Sequence, residues 1–299
     1  MSGEATPPHF ASPGTLNAGA ALEALIVGAG RIGVATGALL QARGSAVTYL
    51  DAERSVMESL AAAGQSVVAP DGRNAHFDLV AVCVPTPTVN GHMSAVQLRD
   101  AIATCGRFLQ PDRFTAIAIR STVIPGTMEN IVRPALSEVA SQSGWAACYW
   151  PSFARERLAA ADELAPRLRC IGSDGDQRLL ALLEPVFAAS GLEPLWTDFA
   201  TAEFIKHGAN LFNAFKISFF NALDAWASSS GADANVVAHA VASAAEGAWN
   251  PAYGIEGGRP FGGACLPKDL EAFLSYLRTN DLPHSYLAEA VKAVNDSFD

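Results

Sequence analysis

Long hydrophobic runs are missing from this chain. Nowhere do eighteen apolar residues follow one another, so no transmembrane helix is predicted. Cysteine is scarce: Cys83, Cys105, Cys148, Cys170 and Cys265 form an odd set with no CxxC pair. That pattern argues against a disulfide framework or a structural zinc site and points to a reducing cytoplasm. Basic residues are outnumbered, 20 Lys and Arg against 30 Asp and Glu, for a net charge of -10. This disfavours nonspecific binding to nucleic acid or an anionic membrane, although a local basic cleft for a phosphate remains compatible. Residues Met1 to Ala20 have no basic start and no continuous apolar core, so they read as a mobile tail and not a secretory signal. No internal repeat is present.

What is there is a soluble, globular composition. The chain has 299 residues, half of them hydrophobic and 17% charged, enough for one large or two ordinary domains with a real core. Short apolar runs at Ala24–Val27, Ala46–Leu50, Leu79–Val84, Thr115–Ile119, Ala146–Trp150 and Arg169–Ile171 read as buried strands. Helical patterns separate them, near Ile32–Arg43, Arg54–Ala63, Ala95–Phe108, Met128–Ala140 and Gln177–Ala189. Strand–helix alternation at this spacing predicts an α/β, doubly wound parallel sheet covered on both faces, over residues 21–197. From 198 to 299 the pattern becomes all-helical. Ala200–Ser229 contains no proline and one glycine, Gly208. As one helix it would span roughly 45 Å and bridge domains or subunits. Shorter helices are expected at Asp233–Ser243, Pro267–Arg278 and His284–Ser297, with a Gly- and Pro-rich loop from Glu246 to Gly263.

Gly28-Ala29-Gly30-Arg31-Ile32-Gly33 follows the first strand and opens a helix. This context makes GxGxxG a dinucleotide-binding turn of the Rossmann type, with the pyrophosphate on the helix N-terminus near Arg31 and Ile32. Asp51 ends the second strand, where a carboxylate accepts bonds from ribose hydroxyls and repels a 2′-phosphate. NAD is therefore expected over NADP. Val84-Pro85-Thr86 ends another strand on the same edge, which faces the ligand crevice in such sheets.

Phe261-Gly262-Gly263-Ala264-Cys265-Leu266-Pro267-Lys268-Asp269 places a lone cysteine at the start of a helix. The glycines allow a tight turn, and Pro267 suits the first helical turn. The helix dipole and Lys268 favour a thiolate at Cys265, and Asp269 lies on the same helical face. The competing reading is a buried cysteine capping a helix.

Taken in order, VGAGRIG, VPTPT, Arg120-Ser121-Thr122 with Pro125-Gly126-Thr127, AEFIKHGAN at 202–210, Lys216–Asn221 and FGGACLPKD resemble the UDP-glucose/GDP-mannose dehydrogenase family. The resemblance runs from about Leu25 to Asn295. It implies oxidation of the primary alcohol of a sugar or nucleotide sugar to a carboxylate with NAD, through a Cys265 thiohemiacetal and thioester. It implies oxyanion donors at Lys206 and Asn210, four apart on one helical face. Asp269 would position water, Thr122 would lie near the reacting carbon, and Glu156 would bind or orient water. Ser121, Thr122 and Lys268 would join Val84, Pro85 and Thr86 at the cofactor. Phe153, Lys206, Asn210, Trp249, Tyr253 and Gly262 would contact substrate. The long helix would build a homodimer, with an apolar stripe of Phe204, Leu211, Phe215, Phe219 and Leu223.

Three departures accompany the likeness. The family shows an Asn-Pro-Glu-Phe-Leu-Arg-Glu type segment, whereas this chain has Trp150-Pro151-Ser152-Phe153-Ala154-Arg155-Glu156. Ser152 thus replaces a general base, and a serine hydroxyl alone is no base near neutral pH. The loop Ala248–Gly254 lacks the family's arginine and carries Trp249 and Tyr253 instead. The chain stops at Asp299, where the family continues into a further α/β domain. A truncated chain, a partner protein supplying that wall, or a smaller substrate would each account for this. Two alternatives stay open: two-electron oxidation of a smaller substrate, and a non-catalytic NAD-binding subunit.

Overall fold

Alternate residues of the central strands point to opposite faces, and both sets are apolar. Such strands cannot leave either face in water. The computed structural model describes residues 21–68, 75–140, 144–188 and 191–298; the expected tail, Met1 to Ala20, lies outside them. The chain divides into two compact units, Met1–Gly208 and Ala209–Asp299.

The first unit runs β1 (Glu23–Val27), α1 (Arg31–Ala42), β2 (Ala46–Leu50), α2 (Arg54–Ala62), β3 (Ser66–Val67), β4 (Leu79–Val82), β5 (Thr88–Val89), β6 (His92–Met93), α3 (Val96–Cys105) and β7 (Phe114–Ile119). It continues through α4 (Arg133–Val139), β8 (Gly144–Tyr149), α5 (Ala159–Leu164), β9 (Cys170–Ser173), α6 (Gln177–Ala188) and β10 (Leu195–Thr197). Eight strands form one sheet in the order β10-β9-β8-β7-β4-β1-β2-β3. Leu25, Val27, Val80, Val82, Ile117 and Ile119 face one way, onto Leu98 and Ile102 of α3 and Leu136 of α4. Ala24, Ile26, Leu79, Ala81, Ala116 and Ala118 face the other way, onto Leu39 and Leu40 of α1 and Leu183 and Phe187 of α6. Helices thus cover both faces, as the strand–helix alternation requires.

The sheet departs from the expected all-parallel pattern at one pairing. β8 and β9 run antiparallel, with Cys148 opposite Ser173, while β9 and β10 are parallel to each other. An apolar run specifies a buried strand but not its direction. The ladder of β4 stops at Val82, short of the expected Val84. The expected helix Met128–Ala140 is a π-helical turn, Met128–Val132, followed by α4. The change falls where Pro134 lacks the N–H that an α-helical ladder would need. β5 and β6 form a hairpin through Asn90 and Gly91, with φ of 51° and 80°. That is the Asn-Gly turn favoured in two-residue hairpins.

α7 (Phe199–Ser229) is a single helix of 31 residues. Its first turns belong to the sheet unit. There Glu203, fully buried, accepts from the Gly126 and Met128 amides at 2.6 and 2.8 Å. Burial pushes its carboxyl above the ordinary value, and the amide bonds oppose that shift. Glu203 thereby ties the loop after β7 to α7.

The second unit contains the rest of α7, then α8 (Ala234–Ala244), α9 (Glu246–Trp249), α10 (Leu266–Thr279) and α11 (Ser285–Asp296). α9 is one helical turn inside the stretch expected to be loop. The core here is small: Ala222, Trp226, Leu274, Leu277 and Ala288. The Trp226 indole N–H donates to the Pro283 carbonyl at 2.6 Å, and its ring meets Phe273 edge-on.

Replacing Glu203 by alanine should strand one buried and one half-buried amide and lower the stability of the sheet unit by about 2–4 kcal/mol, with glutamine retaining part of it. Urea unfolding followed by circular dichroism checks this; a loss below about 0.5 kcal/mol would remove the tie.

Candidate cofactor and catalytic site

The strand order reverses between β1 and β4, and the loops leaving their carboxyl ends make the crevice expected of such sheets. Gly28 has φ of 92°, and a Cβ there would come within 2.9 Å of the Cys83 carbonyl. At Gly33 a Cβ would lie 2.0 Å from the Gly28 oxygen. Both glycines are thus required by the turn itself. Gly30 is different: its φ is -69° and nothing stands within 4 Å of where its Cβ would be. The protein gives no internal reason for a glycine there, and the open space over it is what a pyrophosphate needs. Gly30 caps α1 without a side-chain bond, so Arg31 and Ile32 begin the helix with main-chain amides open. Asp51 is fixed beside the turn by the Ala29 amide at 2.7 Å and the Glu53 amide at 2.9 Å. Each oxygen keeps a lone pair for a ribose hydroxyl. These residues fit a dinucleotide.

Two further loops are stitched together on the same edge. The Ser121 hydroxyl donates to the Val84 carbonyl at 2.7 Å, and the Thr86 hydroxyl donates to the Thr122 carbonyl at 2.6 Å. Val84, Pro85, Thr86, Ser121 and Thr122 therefore form one wall. Arg31 and Glu156 form an ion pair at 2.5 Å, both largely exposed, so the pair adds little stability. Glu156, expected to handle water, is thus engaged with a residue expected to face the cofactor.

Lys206, on α7, is buried, and its ammonium lies 5.4 Å from the centre of the Phe153 ring. Burial lowers its pKa, and the nearby Glu163 carboxylate works against that shift. Glu163 itself escaped the sequence reading. It sits on α5 with its Oε1 2.5 Å from both the Ser152 hydroxyl and Arg120 Nη2. The Arg120 contact is off-angle for a hydrogen bond, and its guanidinium lies over Trp150 at 4.1 Å. A lone glutamate in an alanine-rich helix carries no motif, so no sequence signal could have found it.

In the helical unit, Cys265 is exposed and occupies the N-cap of α10, with Pro267 in the first turn. Gly263 adopts φ of 84°, and nothing crowds Gly262. Lys268 pairs with the Asp269 carboxylate, so its charge is shared between neighbours and does not serve the thiol alone. The other four cysteines are buried or half-buried. Burial raises Cys105 and Cys148 to about 12 and Cys170 to about 11. Cys83 keeps some surface, yet its sulfur turns toward the Ala81 carbonyl and burial lifts it to about 11 as well. Tyr253 and Asp269 line an apolar cavity of about 610 Å³ with Phe219, Trp226 and Phe273. Trp249 is exposed and is not among its walls. Asn210 is exposed on α7, one turn beyond Lys206.

The geometry defines a dinucleotide-binding α/β unit joined in sequence to a helical unit that presents an exposed cysteine. Comparison with known families identifies it further. Residues 56–190 match the NAD binding domain of the UDP-glucose/GDP-mannose dehydrogenase family, and residues 200–297 match its central domain. The chain belongs to that family. A GDP-mannose 6-dehydrogenase of Pseudomonas savastanoi pv. phaseolicola is 30% identical over 233 residues, covering 74% of this chain and 52% of the relative. UDP-glucose 6-dehydrogenase YwqF of Bacillus subtilis is 26% identical, covering 91% and 65%. The ternary complex of GDP-mannose dehydrogenase from Pseudomonas aeruginosa superimposes with a TM-score of 0.81 at 25% identity, covering 92% of this chain and 68% of that one. The chain spans about half the length of the first of these curated relatives.

Gly30→Ala should leave thermal melting unchanged while weakening NAD binding about tenfold or more, because only the ligand needs that space. Gly33→Ala should instead lower stability by about 2 kcal/mol or more through the clash with Gly28. Melting curves and NAD titration of both variants check the contrast; equal melting temperatures would contradict it.

Proposed function

We propose that this protein oxidises the primary alcohol of a nucleotide sugar to the carboxylate. The observation that carries this reading is the open space over Gly30, beside Asp51, in a chain of this family. Bound NAD supplies the hydride acceptor for each of the two oxidations. Cys265 Sγ adds to the carbonyl carbon of the intermediate aldehyde, and the alkoxide formed takes up a proton to give a thiohemiacetal. Loss of hydride and of that proton leaves a thioester on Cys265. Water then cleaves the C–S bond, releasing the acid and regenerating the thiol. Lys206 and Asn210 donate to the developing oxyanion, and Asp269 positions water. Thr122 lies near the reacting carbon. Phe153, Trp249, Tyr253 and Gly262 contact the sugar or its nucleotide.

The protein works as a homodimer in this reading. Residues 210–218 of α7 are exposed all round, and they include Leu211 at 71% and Ile217 at 63%. Phe204 and Phe215 are exposed too, whereas Phe219 and Leu223 turn inward. Apolar surface of that kind calls for cover, and a second copy of the helix supplies it. Five free thiols suit a reducing cytoplasm.

A shorter, two-electron reaction on a smaller substrate is the second reading, favoured by Ser152 standing where a carboxylate base is expected. A non-catalytic NAD-binding subunit is the third. Incubation with NAD and UDP-glucose, GDP-mannose, sugar phosphates or free sugars separates them. Full oxidation gives two NADH per substrate and the short reaction one. No NADH from any of them, with or without a partner protein, contradicts catalysis. Cys265→Ser should abolish acid formation and spare the first oxidation; an unchanged acid yield would remove Cys265. Sedimentation at micromolar concentration should report a dimer, and a monomer would contradict the role given to α7.

A further inference from the structure

Arg31 is the first residue of α1, directly after the Gly30 N-cap. Its Nη1 lies 2.5 Å from Glu156 Oε1, and both side chains are exposed. The two ends of this pair differ in freedom. Glu156 opens a 3₁₀ turn, Glu156–Leu158, that leads directly into α5, and α5 packs against α1. The residue before it is clamped. The Arg155 amide, Nε and Nη2 all donate to the Asp162 carboxylate, at 2.8, 2.9 and 2.7 Å. Glu156 is therefore carried on a braced segment, whereas Arg31 is a long side chain with many rotamers. The open amides of α1 and the space over Gly30 are where a pyrophosphate fits, and Arg31 stands beside them. Two anions thus compete for one guanidinium. A phosphate takes two parallel N–H bonds from arginine, and an exposed carboxylate holds it only weakly.

We propose that Arg31 exchanges partners when NAD binds, leaving the Glu156 carboxylate for a pyrophosphate oxygen. In the free protein Glu156 holds Arg31 back and lowers the affinity for the cofactor. Once the cofactor is seated, the Glu156 carboxylate is released. The pair is thus an autoinhibitory contact within the sheet unit, and it couples the state of Glu156 to the occupancy of the dinucleotide site. This exchange rests on the NAD site and not on which oxidation follows.

Equilibrium titration with NAD and with ADP-ribose, which keeps the pyrophosphate and lacks the nicotinamide, tests the exchange. Glu156→Gln should bind both ligands about two- to fivefold more tightly, the size expected when an exposed competing pair is removed. Arg31→Ala should bind both about fivefold or more weakly. Adding Glu156→Gln to Arg31→Ala should change neither affinity, since the competitor then has no shared partner. Weaker binding by Glu156→Gln would mean that the carboxylate aims Arg31 at the cofactor, and it overturns the exchange. Unchanged binding overturns it too. So does a gain that persists without Arg31, which is plain charge repulsion, or a gain with NAD that is missing with ADP-ribose. If the wild type binds neither ligand, the NAD site and the exchange fail together. If the affinities follow the exchange and no substrate yields NADH, the proposed oxidation fails and the exchange stands.

Discussion

The approach of Gly28 to the Cys83 carbonyl is the constraint from which the site follows. A side chain at Gly28 would begin 2.9 Å from that carbonyl, and one at Gly33 would strike the Gly28 oxygen. The turn can therefore close only as glycine. It closes where β1 and β4 part, so main-chain amides and the first turn of α1 face outward from the sheet edge. Asp51, held by the Ala29 amide, stands at the end of the neighbouring strand.

Much of this was legible because it is local. The glycine turn follows a strand and opens a helix within a few residues, and Asp51 comes one strand later. The central strands are marked by runs of Val, Ile, Leu and Ala, and the alternation with helices gives a doubly wound sheet. The direction of β9 was not legible, since a buried run is apolar whichever way it points. The hairpin at Asn90-Gly91 carried a readable turn signal that the apolar pattern around it masked. The π-turn before α4 was foreshadowed only by Pro134.

The buried charges lay beyond the reach of sequence. Arg120, Glu163 and Ser152 come from the end of β7, from α5 and from the segment after β8, and only folding brings them within 2.5 Å. A buried ion pair of this kind is costly to assemble and contributes little net stability. Lys206 and Asn210 show the same limit. Their spacing of four was readable, but the burial of Lys206 and the exposure of Asn210 depend on what surrounds α7. Lys268 was read as a partner for Cys265, and its pairing with Asp269 depends on rotamers that no spacing fixes.

Equilibrium titration with NAD and with NADP tests the central claim most directly. The account predicts one NAD bound per chain and NADP weaker by about tenfold or more, because the carboxylate of Asp51 repels a 2′-phosphate. Equal affinity for the two, or no binding of either, would contradict it.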